Sequence, residues 1–324
     1  MKAAWFETFG PAQDVLVLGE QPTPQPADAE VLVRLHTTGV NPSDVKKRAG
    51  AFPNLLDNGL VIPHSDGAGV IEAVGEGVDP ARIGERVFVY QAQYGRRLGT
   101  AAEYVALDQT LAPRLPDEAS FEVGACIGIP MMTAHRCVFA DGEVEGQTVL
   151  VTGGAGRVGY YAIQWAAQAG ARVIATASNA ADEALCREMG ASFVVNHRKA
   201  GWGEQVLAAN GGQKLDRVVE VEFGANLPEV LKCVRIGATI ATYSSTVVPE
   251  PSLPFRDMMF MDLTLRMVLV YAMPEQAKQA AIRDTVDALA AGRLHHRIAH
   301  NLPFDEVARS HELVEQGGFC LLYT

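Results

Sequence analysis

The sequence has no C-x-x-C pair, no apolar run near the roughly 20 residues that span a bilayer, and no basic cluster large enough to attract a phosphate backbone. Its five cysteines, at 126, 137, 186, 233 and 320, are odd in number and scattered. That excludes a four-cysteine zinc cage and fits reduced thiols in a cytoplasmic protein. The net charge is −11, so nothing is offered to a phosphate backbone and no nucleic-acid partner is expected. The opening stretch MKAAWFETFGPAQ lacks the charged start and apolar core of a signal peptide, and no membrane partner is expected. What remains is ordinary globular composition, 48% hydrophobic and 20% charged over 324 residues, enough for about two domains.

The most informative segment is 146–170, GQTVLVTGGAGRVGYYAIQWAAQAG. Residues 148–152 read as a short apolar strand. Gly153, Gly154, Gly156 and Gly159 follow, and then Val158, Ala162, Trp165 and Ala169 recur on one helical face until Gly170 stops it. Gly154, Gly156 and Gly159 have the G-x-G-x-x-G spacing. Strand, glycine turn and helix together set backbone N–H groups and a positive helix end against a pyrophosphate.

Residues 1–120 read as β-rich, with strands such as 30–35, 69–74 and 86–90 between glycine and proline turns. From 148 onward strands at 148–152, 172–176, 193–195, 217–221 and 238–242 alternate with helices such as 181–189 and 203–210. This is the rhythm of a parallel doubly wound sheet. Amphipathic helices are expected at 276–291 and 305–316.

With this order on the page, the chain resembles the medium-chain dehydrogenase/reductase family. The resemblance is carried by 39–44 (GVNPSD), 67–78 (GAGVIEAVGEGV), 99–105 (GTAAEYV), Thr133 and Ala134, the glycine turn, 196–198 (NHR) and 303–313 (PFDEVARSHEL). Within the family it is similar to the zinc-independent quinone oxidoreductase, or zeta-crystallin-like, branch. Arg157, where a small residue is usual, and Ala167, where a basic one is common, depart from the pattern without removing a needed glycine. The resemblance implies a Rossmann domain at 122–262 that binds NADP. It also implies a β-rich GroES-like catalytic domain from 1–121 and 263–324, a substrate cleft between the two, and a homodimer.

Zinc is not expected. A catalytic zinc takes about three Cys, His or carboxylate ligands. The stretch at 40–44 has no Cys, and in His64-Ser65-Asp66-Gly67-Ala68-Gly69 the family's histidine position holds Ser65. His64, one residue out of register, reads as a surface or hydrogen-bonded loop histidine, and His295 with His296 as solvated charge at a helix end.

The strand 172–176 is followed by Ala177-Ser178-Asn179, and no acid occurs before Asp182. Without a carboxylate at the strand end a 2′-phosphate is not repelled, and Ser178, Asn179 and Arg198 can meet it, which favours NADPH over NADH. Ordinary loop polarity is the other reading of those three residues. The expected cofactor contacts are Thr133, Gly153, Gly154, Ala155, Gly156, Arg157, Val158, Gly159, Ser178, Asn179, Arg198 and Tyr243. For the acceptor, the resemblance points to Asn41, Asp44 and Lys46. The expected reaction is hydride transfer to a quinone. The alternatives are reduction of a 2-alkenal or enone double bond, with Lys46 holding an enolate oxygen, and cofactor binding with little turnover. Two local alternatives stay open: Lys46, Lys47 and Arg48 as a solvated basic loop, and Asp44 as N-cap of a short helix at 45–48.

Overall fold

A computed structural model describes residues 1–317 and the backbone of Leu322–Tyr323. The chain divides into two compact units, Met1–Ile129 with Ile282–Thr324, and Pro130–Ala281. Cys320 lies outside the described residues.

In the first unit β1 (Lys2–Trp5) pairs antiparallel with β2 (Val17–Glu20). The main sheet is built on β3 (Glu30–Gly39), which pairs antiparallel with β4 (Asp66–Val74) and β6 (Tyr104–Asp108). β4 pairs in turn with β5 (Arg86–Val89). Val31 and Val33, Val87 and Val89, and Val105 and Leu107 meet in one buried cluster with Ile71. Each pair is two residues apart, the strand period that sends alternate side chains to one face. Three helices matter here: α1 (Ala12–Val15), α2 (Pro42–Arg48) directly after β3, and the long α3 (Phe121–Phe139), within which the division between units falls. Sequence periodicity does not reveal α3, because Gly124, Gly128 and Pro130 lie inside it and are read locally as breakers.

The second unit is a six-stranded, all-parallel sheet. Its strands are β7 (Thr148–Val151), β8 (Arg172–Ala177), β9 (Ala191–Asn196), β10 (Leu215–Glu220), β11 (Val234–Thr242) and β12 (Thr264–Met267). They stand in the order β12-β11-β10-β7-β8-β9. Helices α4 (Arg157–Gln168), α5 (Ala180–Glu188), α6 (Trp202–Ala209), α7 (Phe223–Cys233) and α8 (Phe255–Phe260) connect them. Leu150, Ile174, Val218 and Ile240, one from each of four neighbouring strands, form the centre of a core closed by Trp202, Phe223 and Leu227. Strands covered on both faces tend to be near-continuously apolar, as β7 (TVLV) is, whereas the short β12 (TLRM) is not among the strands expected from the sequence. The strand order reverses at β7, so the turn after β7 lies at the point where open α/β sheets accept ligands. The sheet continues past the expected limit of 262, since β12 pairs in register with β11 from Thr239↔Thr264 to Thr242↔Met267.

Helix α9 (Glu275–Ala290) contains the second division. In the first unit β13 (His300–Asn301), α10 (Val307–Gln316) and β14 (Leu322–Tyr323) follow, β14 pairing with β3 at Gly39. Among the described residues, no helix is long and apolar enough to cross a membrane.

Candidate active site

In the second unit the glycine turn is built as the mechanism of phosphate binding demands. The Gly153 N–H donates to Thr176 Oγ1 at 3.0 Å, and the Gly154 N–H to the Thr176 carbonyl at 2.9 Å, so β8 holds the turn from its side. Helix α4 starts at Arg157 with Gly156 as its cap and no side-chain cap hydrogen bond. The amides of its first turn therefore offer a positive end to an anion. A Cβ on Gly156 would lie 3.1 Å from the Gly153 carbonyl oxygen, and one on Gly159 only 2.4 Å from it. These residues fit a dinucleotide pyrophosphate: the turn is tight, and only bare backbone leaves room for close approach.

The flanks are less uniform. Ser178 is half-buried after β8, and Arg198 is exposed after β9. Asn179 is committed elsewhere: its Oδ1 accepts the Asp182 N–H at 2.9 Å and its Nδ2 donates to Asp182 Oδ2 at 2.7 Å, so it caps α5. Thr133 is buried on α3. Tyr243 is half-buried beyond β11, with its N–H donated to the Glu220 carbonyl at 3.2 Å. Burial holds its phenol well above the ordinary value, with Cys137 and Glu220 adding to the effect. Glu220, which sequence reasoning passed over, is fully buried at the end of β10, and burial raises its carboxyl. Its Oε1 accepts N–H groups from Glu222 at 2.6 Å and Asn226 at 2.8 Å.

In the first unit, β3 and β4 are paired through Gly39↔Asp66, which sets Asp66 beside the turn into α2. Asn41 is the N-cap of that helix, and Asp44 is its third residue, accepting the Asn41 N–H through Oδ2 at 2.8 Å. Asp44 is therefore not the N-cap, because the helix begins at Pro42 rather than Val45. The basic run is not a solvated loop either. Lys46 is exposed, but Lys47 is 6% and Arg48 1% exposed. One helical step turns the side chain through about 100°, so neighbouring lysines face different surroundings. Lys47 Nζ donates to the Gln93 carbonyl at 2.6 Å, and burial lowers its ammonium against the pull of Asp44 and Asp66. Arg48 donates to the Gly10 carbonyl and to Glu315. Asp66, unmarked in the sequence beyond its place in the HSDGAG stretch, is fully buried. Its Oδ2 accepts the Asn41 Nδ2–H at 2.8 Å and the Ile129 N–H at 2.9 Å.

His64 is no surface residue. It is fully buried, and its Nε2 meets His311 Nε2 at 2.9 Å while Nδ1 meets Thr38 Oγ1 at 2.9 Å. Thr38 Oγ1 lies 2.7 Å from Thr100 Oγ1, which donates to the Asp66 carbonyl at 2.5 Å. One proton arrangement serves all four contacts. Thr100 gives its proton to the carbonyl, so Thr38 donates to Thr100, His64 donates from Nδ1 to Thr38, and His311 donates from Nε2 to His64. A second proton on His64 would set two N–H groups head-on in a dry site. Burial accordingly lowers His64 to about 3, with Lys47 contributing, and holds His311 well below its usual value. A depressed folded-state pKa means that only the unfolded chain takes the proton between about 6.5 and about 3. Stability is thus expected to fall as pH drops through that window. Urea midpoints at pH 7 and pH 5 test this, and a steep drop that is not shallower in His311→Leu would sink it. His296 also corrects the expectation of solvated charge: α9 ends at Ala290, His296 is half-buried in the coil beyond it, and burial lowers it to about 4.

Comparison with known proteins follows from this geometry. The family model described as alcohol dehydrogenase GroES-like domain matches residues 27–117, and the one described as zinc-binding dehydrogenase matches 158–287. Human quinone oxidoreductase is 30% identical over 98% of this chain and 94% of its own length. The chain belongs to the medium-chain dehydrogenase/reductase family. As a member it is an oxidoreductase, with a GroES-like domain and a Rossmann-type sheet. Two solved members of similar shape are a mycobacterial protein complexed with NADPH, 26% identical with a TM-score of 0.86, and a quinone oxidoreductase from Coxiella burnetii, 25% identical with a TM-score of 0.84. Each match covers 100% of this chain, and 100% and 98% of the respective partner.

The description of the second family model implies a metal, and the residues present do not fit one. Ser65 stands where the family's histidine is expected, with its hydroxyl turned to Asp44 Oδ1 at 3.4 Å. Among the described residues no group of three or more His, Cys, Asp or Glu side chains is placed to hold an ion.

Proposed function

We propose that this oxidoreductase reduces quinones with NADPH as the hydride source and without zinc. The glycine turn after β7 carries the reading: bare backbone at Gly156 and Gly159, the amides of α4, and Thr176 bracing the turn. When bound, the nicotinamide supplies the hydride. Gly153, Gly154, Ala155, Gly156, Arg157, Val158 and Gly159 would hold its pyrophosphate, with Thr133 and Tyr243 further along the same unit. Ser178 and Arg198 would meet the 2′-phosphate; Asn179 contributes less, since its side chain caps α5. Asn41, Asp44 and Lys46 would face the acceptor. A quinone spreads the developing charge by conjugation, so it needs no Lewis acid. The NADPH complex of the mycobacterial relative and the name of the human one support this reading.

Titration of the purified protein with NADPH and NADH tests the cofactor. NADPH is expected to bind more tightly, and Arg198→Ala to weaken NADPH more than NADH by roughly tenfold, as for one lost charge-assisted contact. Equal or tighter NADH binding overturns the preference. Turnover of a 1,4-quinone is expected to survive exhaustive chelation, with elemental analysis finding far less than one zinc per chain. Zinc lost in step with activity would count against it. An enone reductase is the second reading, favoured by the exposed ammonium of Lys46 one turn into α2.

A further inference from the structure

Four ionisable or amide side chains are packed around the start of α2. Asp44 and Asp66 are fully buried, Asn41 is 5% exposed and Lys47 is 6% exposed. Lys47 is within electrostatic reach of both acids, and its Nζ is held by the Gln93 carbonyl. Of the nearby imidazoles, His64 and His311 are kept neutral by burial, with the buried Arg48 guanidinium also acting on His311.

The two oxygens of Asp66 have unequal surroundings. Oδ2 accepts both N–H groups, from Asn41 Nδ2 and from the Ile129 backbone. Oδ1 has no hydrogen-bond partner among the described residues. It lies against Gly128 of α3, where an ideal Cβ would come within 2.3 Å of it. The carboxyl is thus clamped between β4 and α3 with one oxygen aimed at Asn41. A buried amide whose N–H has a single fixed acceptor is held in one orientation.

We propose that Asp66 is the positioning residue of the acceptor site, fixing the Asn41 side chain through Oδ2 while Lys47 balances the charge it shares with Asp44. This rests on the reading of Asn41 as an acceptor-side residue. Asp66 need not touch the acceptor; it acts through Asn41. Its carboxyl is raised to about 8, chiefly by burial, so it changes charge within the range where the enzyme can be assayed. Ionisation strengthens its grip, since hydrogen bonds to a charged acceptor are roughly twice as strong as neutral ones.

The test is a cycle of Asn41→Ala, Asp66→Ala and the double variant, with Asp66→Asn as the conservative replacement, all in the full chain. Quinone turnover, NADPH affinity and Tm are measured for each. Asp66→Ala is expected to lower kcat by about tenfold or more, as misplacement of a reacting group does. NADPH affinity should stay within about twofold, under roughly 0.5 kcal/mol. Asp66→Asn should recover most of kcat, because its side-chain oxygen still accepts the Asn41 N–H. In the Asn41→Ala background, Asp66→Ala should cost nothing more. Additive losses, or an Asp66→Asn variant no better than Asp66→Ala, overturn the proposal.

If Asp66→Ala does not fold, the pH profile decides. Wild-type kcat should show an ionisation near pH 8 that is missing in Asp66→Asn, and a retained ionisation overturns the assignment. If the wild type reduces no quinone at all, the functional reading fails by itself. The positioning claim then stands or falls on Tm: non-additive shifts for Asn41→Ala and Asp66→Ala support it, and additive shifts overturn it.

Discussion

Gly156→Val is expected to abolish NADPH binding and leave the fold intact. Gly156 has φ −75° and ψ 168°, an extended conformation open to any residue, so valine introduces no backbone strain. Its Cβ would sit 3.1 Å from the Gly153 carbonyl oxygen, a contact relieved by a shift of a few tenths of an ångström. The rest of the side chain, however, would occupy the space over the first amides of α4, where the proposed pyrophosphate site lies. Loss of direct contact with these N–H groups should weaken binding by at least about 100-fold, or about 2.7 kcal/mol. Calorimetric titration with NADPH, alongside circular dichroism, checks both halves. Normal affinity in a folded variant would mean that the phosphates bind elsewhere. Gly159→Val should behave differently. Its Cβ would stand 2.4 Å from the same backbone oxygen and 2.9 Å from the Gly154 Cα, so helix and turn must separate and stability should fall together with binding.

The second large effect separates two adjacent lysines. Lys47→Met removes a buried cation within reach of both Asp44 and Asp66 and takes away the ammonium that donates to the Gln93 carbonyl. Deleting one partner of a buried charge set typically costs about 3–5 kcal/mol. A Tm lower by roughly 6–15 °C is expected for a chain of this size. Lys46→Met should leave Tm unchanged, because the Lys46 side chain is exposed, and the carbonyl that accepts the Ala51 N–H at 2.9 Å belongs to the backbone and survives the substitution. Its effect, if Lys46 holds an enolate oxygen, is on chemistry: enone turnover should fall by about 10²–10³ where such a donor is the main one, and quinone turnover much less. Thermal melts and paired enone and quinone assays of the two variants read these outcomes. Equal Tm for wild type and Lys47→Met would contradict the charge balance drawn here. Enone and quinone rates both within about twofold of wild type for Lys46→Met would leave the enone reading without support.

What could be read from the chain alone followed from local rules. The inner strands of the parallel sheet are buried on both faces, so β7 and β8 announce themselves as largely apolar runs. The glycine turn is legible because its function depends on backbone, and the absence of a side chain is a property of sequence. The family resemblance rested on such stretches. The helix α3 was not legible, since glycines and a proline that break isolated helices are tolerated where packing supplies the stability.

The polar cluster at the start of α2 was decided only by tertiary structure. The GVNPSD stretch could be seen, but whether Asp44 or Asn41 capped the helix depended on where β3 ended. Lys46, Lys47 and Arg48 are equivalent as a charge run. The helix exposes the first and buries the other two, and only the fold supplies the Gln93 carbonyl and Glu315 that make burial of charge tolerable. His64 and His311 are 247 residues apart, and Asp66 meets Asn41 across a strand pair and Ile129 from a helix 63 residues on. Sequence by itself determined the glycine turn and much of the parallel sheet that carries it, because a turn of bare backbone amides is a local object. Tertiary structure decided the polar cluster around Asp66, because a buried charge is stable only where distant segments bring its partners.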